Sequence, residues 1–339
     1  MKFSEAALAF DIEREIESIS VSIREAVHHT LHRKGAVVAV SGGIDSAACA
    51  ALCTHALGKE NVQALFLPER DSSDDSLRFG KLLAERLGIR SITEDIAPVL
   101  AGAGCYRRQD EAIRMVFPQY VGGWKFKISI PSILTSDRLN VSRLTIMTNA
   151  GETLSERMSP ASYLQLVAAT NFKQRTRKMM EYYHADRLNY AVCGTPNRLE
   201  YDQGFFVKGG DGLADFKPIA HLYKTQVYAI ARALGVPDEI CSRTPTTDTF
   251  SLPQTQEEFY FALPYDKMDL CLYAHNAGVP AADVAPVVGL TTAQVERVYK
   301  DIETKRRTTL PLHLPAVLMQ PVPEVQGPKS DALQSKKPV

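Results

Sequence analysis

An α/β fold, doubly wound around a mostly parallel sheet, is predicted by three observations. Short apolar runs rich in β-branched residues alternate with helical periodicity through residues 36–96, a βαβαβ rhythm. The alternation resumes over residues 160–234. The chain has 339 residues, 45% hydrophobic and 23% charged, enough to bury the core that such a sheet needs.

Residues 3–33 read as one amphipathic helix, with Phe10, Ile12, Ile16, Ile19 and Ile23 at three- and four-residue steps. Residues 36–40 read as a buried parallel strand, and 46–57 as a helix after a Gly-Gly turn. Strands follow at 62–67 and 89–96, with a helix at 74–87 between them. Residues 97–158 fit the rhythm poorly. A helix is expected over 107–120, and a hairpin or excursion from strands at 124–130 and 142–148. A long helix over 160–184, a strand over 189–193 and a helix over 219–234 restore the pattern. Residues 245–253 read as a polar loop, followed by helices over 264–277, 280–288 and 292–307. Residues 1–311 therefore form one domain with an elaborated segment at 97–158, and the proline-rich stretch 312–339 is expected to fray.

Lys and Arg total 39 and Asp and Glu total 39, a balance that argues against nucleic-acid binding. The six cysteines include no CxxC pair, which fits a reduced, cytoplasmic setting. The early acids Glu5, Asp11 and Glu13 disfavour a signal peptide, and no apolar run predicts a membrane span.

The segment Ala36-Val-Val-Ala-Val-Ser41-Gly42-Gly43-Ile44-Asp45-Ser46 carries the first chemistry. A strand feeds two glycines and then a helix start. Glycines let the backbone approach an anion, and the helix start offers unpaired N–H groups and a positive dipole end. Ser41 and Ser46 add hydroxyl donors. Asp45 would repel phosphate by itself, so it makes sense beside a metal such as Mg²⁺. A plain βα turn with a capping Ser or Asp is the bland alternative. The loop lacks the lysine of a Walker A motif and does not match GxGxxG. It resembles the pyrophosphatase loop of ATP-dependent ligases, which implies ATP binding, adenylation of a substrate and release of pyrophosphate.

A second group of motifs narrows the resemblance. Asn171-Phe-Lys173-Gln-Arg175-Thr-Arg177 is followed by Gly194-Thr195-Pro-Asn197-Arg198-Leu-Glu200 and by Lys208-Gly-Gly-Asp211-Gly-Leu213-Ala-Asp215. Leu222-Tyr-Lys224-Thr-Gln, Pro245-Thr246 and Gln254-Thr-Gln256-Glu257 complete the set. Taken alone, Lys173, Arg175, Arg177 and Lys178 read as the solvated face of a helix, and Gly209–Gly212 as a turn. Together the motifs resemble the ammonia-dependent NAD synthetase family, a Rossmann-like, adenine nucleotide alpha-hydrolase-like fold. The resemblance implies an enzyme that amidates the nicotinate carboxylate of deamido-NAD with ammonia through an acyl adenylate, giving NAD, AMP and pyrophosphate.

Carried over position by position, the resemblance implies Mg²⁺ ligation by Asp45 and Glu200. It implies ATP contacts from Ser41, Gly42, Gly43, Asp45, Ser46, Thr195, Lys224 and Thr246. Asn171, Arg175, Lys208, Asp211, Asp215 and Lys305 would meet deamido-NAD. Asp45, Asp211 and Lys224 would take part in the chemistry, Asp211 by accepting the proton that ammonium must lose. A homodimer is implied. The loop begins at residue 36, so no glutaminase domain is expected ahead of it, and ammonia would arrive free or from a separate glutaminase.

Leu213, Gln256 and Thr304 depart from the family pattern, and residues 97–158 are longer than its usual connection. These departures motivate one alternative, a divergent amide ligase that acts on another carboxylate. The long segment could reshape the pocket or be a surface elaboration. His28, His29 and His32 read as surface residues, Cys193 as a small buried one and Trp124 as core.

Overall fold

Alternate residues of the first strand face opposite cores. Ala36, Val38 and Val40 pack with Val62, Ala64 and Phe66 on one face, while Val37, Leu65 and Val192 belong to the other. Burial on both faces explains why these strands read as continuous apolar runs. Each such valine or leucine contributes roughly 1.5–3 kcal/mol of burial. The computed structural model describes residues 3–130, 142–243, 250–261, 263–322 and 324–325.

The elements run α1 (Ile12–Arg24), β1 (Ala36–Ala39), α2 (Ile44–Leu57), β2 (Val62–Phe66), α3 (Asp74–Leu87) and β3 (Arg90–Thr93). Then come α4 (Ala97–Gly102), α5 (Cys105–Arg114), β4 (Lys125–Ser129), β5 (Arg143–Met147), β6 (Thr153–Arg157) and α6 (Pro160–Leu188). The chain continues through β7 (Ala191–Val192), α7 (Arg198–Gln203), α8 (Lys224–Ala233) and α9 (Asp238–Cys241). It ends with α10 (Tyr265–Asn276), α11 (Ala281–Val288) and α12 (Thr292–His313).

The main sheet is parallel, in the order β3-β2-β1-β7. Helices α1, α2, α3 and α8 supply the core on one face, and α4, α5 and α6 cover the other. Strand order reverses between β1 and β7, so a crevice opens at their carboxyl ends, where ligands of open α/β sheets bind. Helix α2 is buried nearly all round, and its Ala and Cys residues let it pack closely against α1 and α8.

Several expectations are corrected. The first helix is interrupted. A 3₁₀ turn, Glu5–Leu8, precedes α1, whose start is fixed by Asp11 accepting from the Arg14 amide at 3.1 Å. A π-helical turn, Glu25–Thr30, follows. Residues 97–158 hold α4, α5 and a three-stranded antiparallel sheet, β4-β5-β6, of which β6 was not foreseen. The helix expected from 219 starts at Lys224. The final helix runs on through Pro311 to His313. Of the expected frayed tail, residues 323 and 326–339 lie outside the described residues.

The excursion has a core of its own. Phe126, Ile128, Leu144 and Ile146 pack with Leu166 of α6 and with Phe250. The backbone of Phe126 is bound on both sides to the 250–254 segment: its amide donates to Ser251 Oγ at 2.9 Å, and its carbonyl accepts from the Leu252 amide at 3.0 Å. Among the described residues, no helix is long and apolar enough to cross a membrane.

Candidate active site

At the β1 carboxyl end the chain turns through Gly42, which has φ +76°. A Cβ there would lie 2.6 Å from the Ser76 carbonyl oxygen, so both the conformation and the space require glycine. The loop is preformed by its own hydroxyls. Ser46 Oγ donates to the Gly43 carbonyl at 3.0 Å and accepts from the Ser41 amide at 3.2 Å, and Ser41 Oγ lies 3.2 Å from Ser46 Oγ. Helix α2 begins at Ile44 and places Asp45 in its first turn.

The β7 end supplies the opposite wall. Residues 193–197 lead into α7 through a capping box. Asn197 Oδ1 accepts from the amides of Leu199 at 2.9 Å and Glu200 at 3.2 Å, and Glu200 Oε2 accepts from the Asn197 amide at 3.1 Å. The side-chain amide of Asn197 also donates to Asp45 Oδ1 at 3.0 Å, and so joins the two walls.

Lys224, buried at the start of α8, pairs with Asp45 Oδ2. Burial opposes its charge, but Asp45 and Glu200 outweigh that opposition and the ammonium is pushed up to about 12. Helix α8 is itself anchored by buried Asp269 of α10, whose oxygens accept from the amides of Lys224 at 3.1 Å and Thr225 at 2.8 Å. Burial pushes the Asp269 carboxyl up to about 6.

Glu200 holds its proton more tightly than an exposed carboxyl. Its burial first, and Asp45 next, push its carboxyl up to about 8. Gln256 Nε2 donates to its Oε1 at 3.0 Å, so the residue that lacks the family carboxylate serves as an orienting donor. Two neighbouring carboxylates with Lys224 as their common cation fit a hard divalent ion that completes its shell with phosphate oxygens and water. Among the described residues no cluster of three or more His, Cys, Asp or Glu side chains forms a closed metal cage.

These groups line one cavity of about 600 Å³. Ser41, Gly43, Asp45, Ser46, Thr195, Glu200 and Lys224 lie along it, together with Asn171, Arg175, Lys208 and Asp211. Asp211 Oδ1 accepts from the Val207 amide at 2.7 Å, and burial raises its carboxyl. Arg175 Nε donates to the Lys208 carbonyl at 3.2 Å. Lys208 Nζ donates to the carbonyls of Pro311 at 2.8 Å and Leu314 at 2.9 Å, so the end of α12 sits against it. Where α12 crosses Gly204, a Cβ would lie 2.3 Å from Thr309.

Three expected site residues are placed off the cavity wall. Gly42 forms the turn of the loop and packs toward the Ser76 backbone rather than lining the cavity. Asp215 caps the sheet edge: its carboxylate accepts from the Val192 amide at 2.7 Å and the Tyr182 hydroxyl at 3.1 Å. Lys305 is occupied by the Tyr260 carbonyl at 2.7 Å and Asp301 at 2.6 Å, one layer behind Tyr260, which does line the cavity. Thr246 lies outside the described residues.

Sequence reasoning also missed participants. Arg243 lines the cavity, donates to the Gly42 carbonyl at 3.3 Å, and lies within reach of the hydroxyls of Ser73 and Ser76. Lys173 and Lys178 are not solvated. Lys173 is fully buried against Glu69 at 2.9 Å and Asp71 at 2.7 Å, and Lys178 is buried against Glu181 at 2.6 Å. Lys173 lies three residues beyond Thr170 and Lys178 seven beyond Asn171, helical steps that were a visible signal. An aromatic series, Phe126, Phe250, Phe259, Phe205 and Tyr260, links the antiparallel sheet to the cavity, with neighbouring ring centroids 4.6–5.8 Å apart.

The family model described as NAD synthase matches residues 15–115 and 135–309. The chain is 60% identical over 306 residues to the NH(3)-dependent NAD(+) synthetase of Mesorhizobium japonicum, covering 90% of this chain and 96% of that one. It is 55% identical over 319 residues to the protein of the same name from Rhizobium rhizogenes, covering 94% and 96%. The solved NMN synthetase of Francisella tularensis has the same fold, with a TM-score of 0.61 at 20% identity, covering 91% of this chain and 99% of that one. The preformed 41–46 loop, the paired walls at the switch point and these matches agree: the chain belongs to the NAD synthase family.

Proposed function

We infer that this protein is an ammonia-dependent NAD synthetase, joining ammonia to the nicotinate carboxylate of deamido-NAD at the expense of ATP. The observation that carries the chemical reading is the meeting of Asp45, Glu200 and Lys224 beside a preformed loop of glycines and hydroxyls. The close relatives, which share the name over nearly the whole chain, carry the substrate. They favour deamido-NAD over another carboxylate.

The loop 41–46 receives the pyrophosphate half of ATP on backbone N–H groups and the helix dipole. Lys224 and Arg243 add fixed positive charge on the phosphate side. Asp45 and Glu200 would hold Mg²⁺, which would supply charge neutralisation for the phosphates. Thr195 and Thr246 contact the nucleotide, while Asn171, Arg175 and Lys208 receive the acid, with Asp215 and Lys305 at its margin.

The substrate carboxylate oxygen bonds to the α-phosphorus, and the bond to pyrophosphate breaks. Ammonia then bonds to the acyl carbon, and AMP leaves with the oxygen it gained. The nitrogen sheds a proton, for which the cavity-lining Asp211, its carboxyl raised by burial, is the acceptor. Residues 1–311 act as one ligase unit, with 97–158 as its elaboration, in a cytoplasmic homodimer supplied with free ammonia or served by a separate glutaminase.

The test is incubation with MgATP, ammonium and deamido-NAD, following AMP and NAD by mass spectrometry. Equal amounts of AMP and NAD are expected. AMP without NAD, or ATP binding with no turnover, would overturn the substrate and leave a ligase for another acid.

A further inference from the structure

Helix α6 presents Asn171, Gln174, Arg175, Lys178 and Glu181 to the cavity at successive helical steps. The upper part of this stripe is accounted for by the substrate reading. Lys178 and Glu181, further along the same face, are not. Their side chains are 4% and 6% exposed, and Lys178 Nζ donates to Glu181 Oε2 at 2.6 Å. An ammonium has three donors. Glu181 takes one, and among the described residues the structure gives the other two no protein acceptor. A buried charged donor left unpaired is unfavourable unless water or a ligand satisfies it.

The location selects the ligand. The phosphate loop, Lys224 and Arg243 gather at the β1 side of the cavity and serve the nucleotide. Lys178 lies on the α6 wall, in a cavity whose lining also includes Asp211 and Cys193. There, Glu181 and Asp211 would repel an anionic acid; Lys178 offsets both, with Arg177 also acting on Asp211. Because Glu181 already balances one charge, the pair suits a carboxylate or acyl oxygen better than a multiply charged phosphate.

We propose that Lys178 binds an oxygen of the substrate carboxyl group, holding it for activation, and that Glu181 is the positioning residue that aims the ammonium. The proposal rests on the reading of the acid as deamido-NAD.

The test is steady-state kinetics of K178M, K178R, E181Q and the double variant K178M/E181Q, each with deamido-NAD, ATP and ammonium varied in turn, alongside thermal melts. K178M is expected to lower kcat/KM for deamido-NAD roughly 10- to 100-fold, the worth of a charged hydrogen bond, with the KM for ATP within about three-fold of wild type. K178R should recover part of the loss, and E181Q should show a smaller loss. The double variant, in which a neutral pair replaces a buried ion pair, should melt near wild type and keep the K178M defect. Three results would overturn the proposal: K178M within about three-fold of wild type for deamido-NAD, equal losses for ATP and deamido-NAD, or recovery of activity in the double variant. Wild-type enzyme that makes no NAD from deamido-NAD would instead sink the underlying function, a failure distinct from these.

Discussion

Asn197 donates its side-chain amide to Asp45 Oδ1 across 3.0 Å, although the two residues are 152 positions apart. Its carbonyl oxygen meanwhile caps α7 and thereby fixes Glu200. One side chain thus sets the spacing of both carboxylates expected to hold the metal.

Asn197→Ala should cost about 1 kcal/mol of stability through the lost cap. It should also raise the Mg²⁺ concentration needed for half-maximal rate, because Asp45 and Glu200 lose their common partner. A magnesium titration at saturating ATP, paired with a thermal melt, checks both effects. An unchanged magnesium requirement would show that Asn197 matters to the cap alone.

Lys224→Met should lower kcat/KM for ATP roughly 10²- to 10³-fold, the usual loss when a preorganised charge is removed from a reacting centre. Pyrophosphate–ATP exchange in the presence of deamido-NAD reads the adenylation step directly. A variant that exchanges at the wild-type rate would remove Lys224 from the chemistry.

Phe126→Ala tests whether the antiparallel sheet shapes the pocket. Phe126 is 1% exposed and meets the Phe250 ring edge-on at 5.6 Å. The truncation should cost about 3–5 kcal/mol. Because Phe250 lines the cavity, the KM for deamido-NAD should rise several-fold at temperatures where the variant remains folded. A lowered Tm with unchanged KM would make the sheet a stabilising elaboration only.

Asp269 gives a pH dependence. Its folded-state value, about 6, lies above the ordinary 3.8. Its protonation therefore favours the folded chain. That contribution is complete below about pH 3.8 and is lost as pH rises through 6. The stability of wild type relative to Asp269→Asn should fall by on the order of 2–3 kcal/mol between pH 4 and 6.5 and then level off. Paired denaturant titrations across that range measure it, and a difference that stays flat with pH would contradict it.

The first half of the fold was legible because its signals are local. Helix α3 matches its expected bounds, Asp74–Leu87, since Ser73 caps it and Gly88 ends it in the left-handed region. Helix α8 was misplaced because its first amides are satisfied by Asp269, a partner 45 residues away at which no pattern in 219–224 hints. Strand β6, Thr153–Arg157, is polar and largely exposed, held by backbone pairing to β5 rather than by an apolar face. The 41–46 loop and the Glu200 and Lys224 motifs were readable as strings. Which charges are buried was not: Lys173 and Lys178 look like surface residues until Glu69, Asp71 and Glu181 are seen against them.

The strand order has a consequence for synthesis. β1 lies between β2 and β7, yet β7 follows it by roughly 150 residues, which at ordinary elongation rates is on the order of ten seconds of translation. Until Ala191 and Val192 emerge from the ribosome, the inner edge of β1 has no strand to pair with, and an apolar ribbon is open to neighbouring chains. Lys224, proposed above to act on the nucleotide, is made later still, so nucleotide should not rescue that nascent half. Aggregation during expression should therefore be most sensitive to whatever slows the ribosome between the excursion and α8, and least sensitive to added ATP.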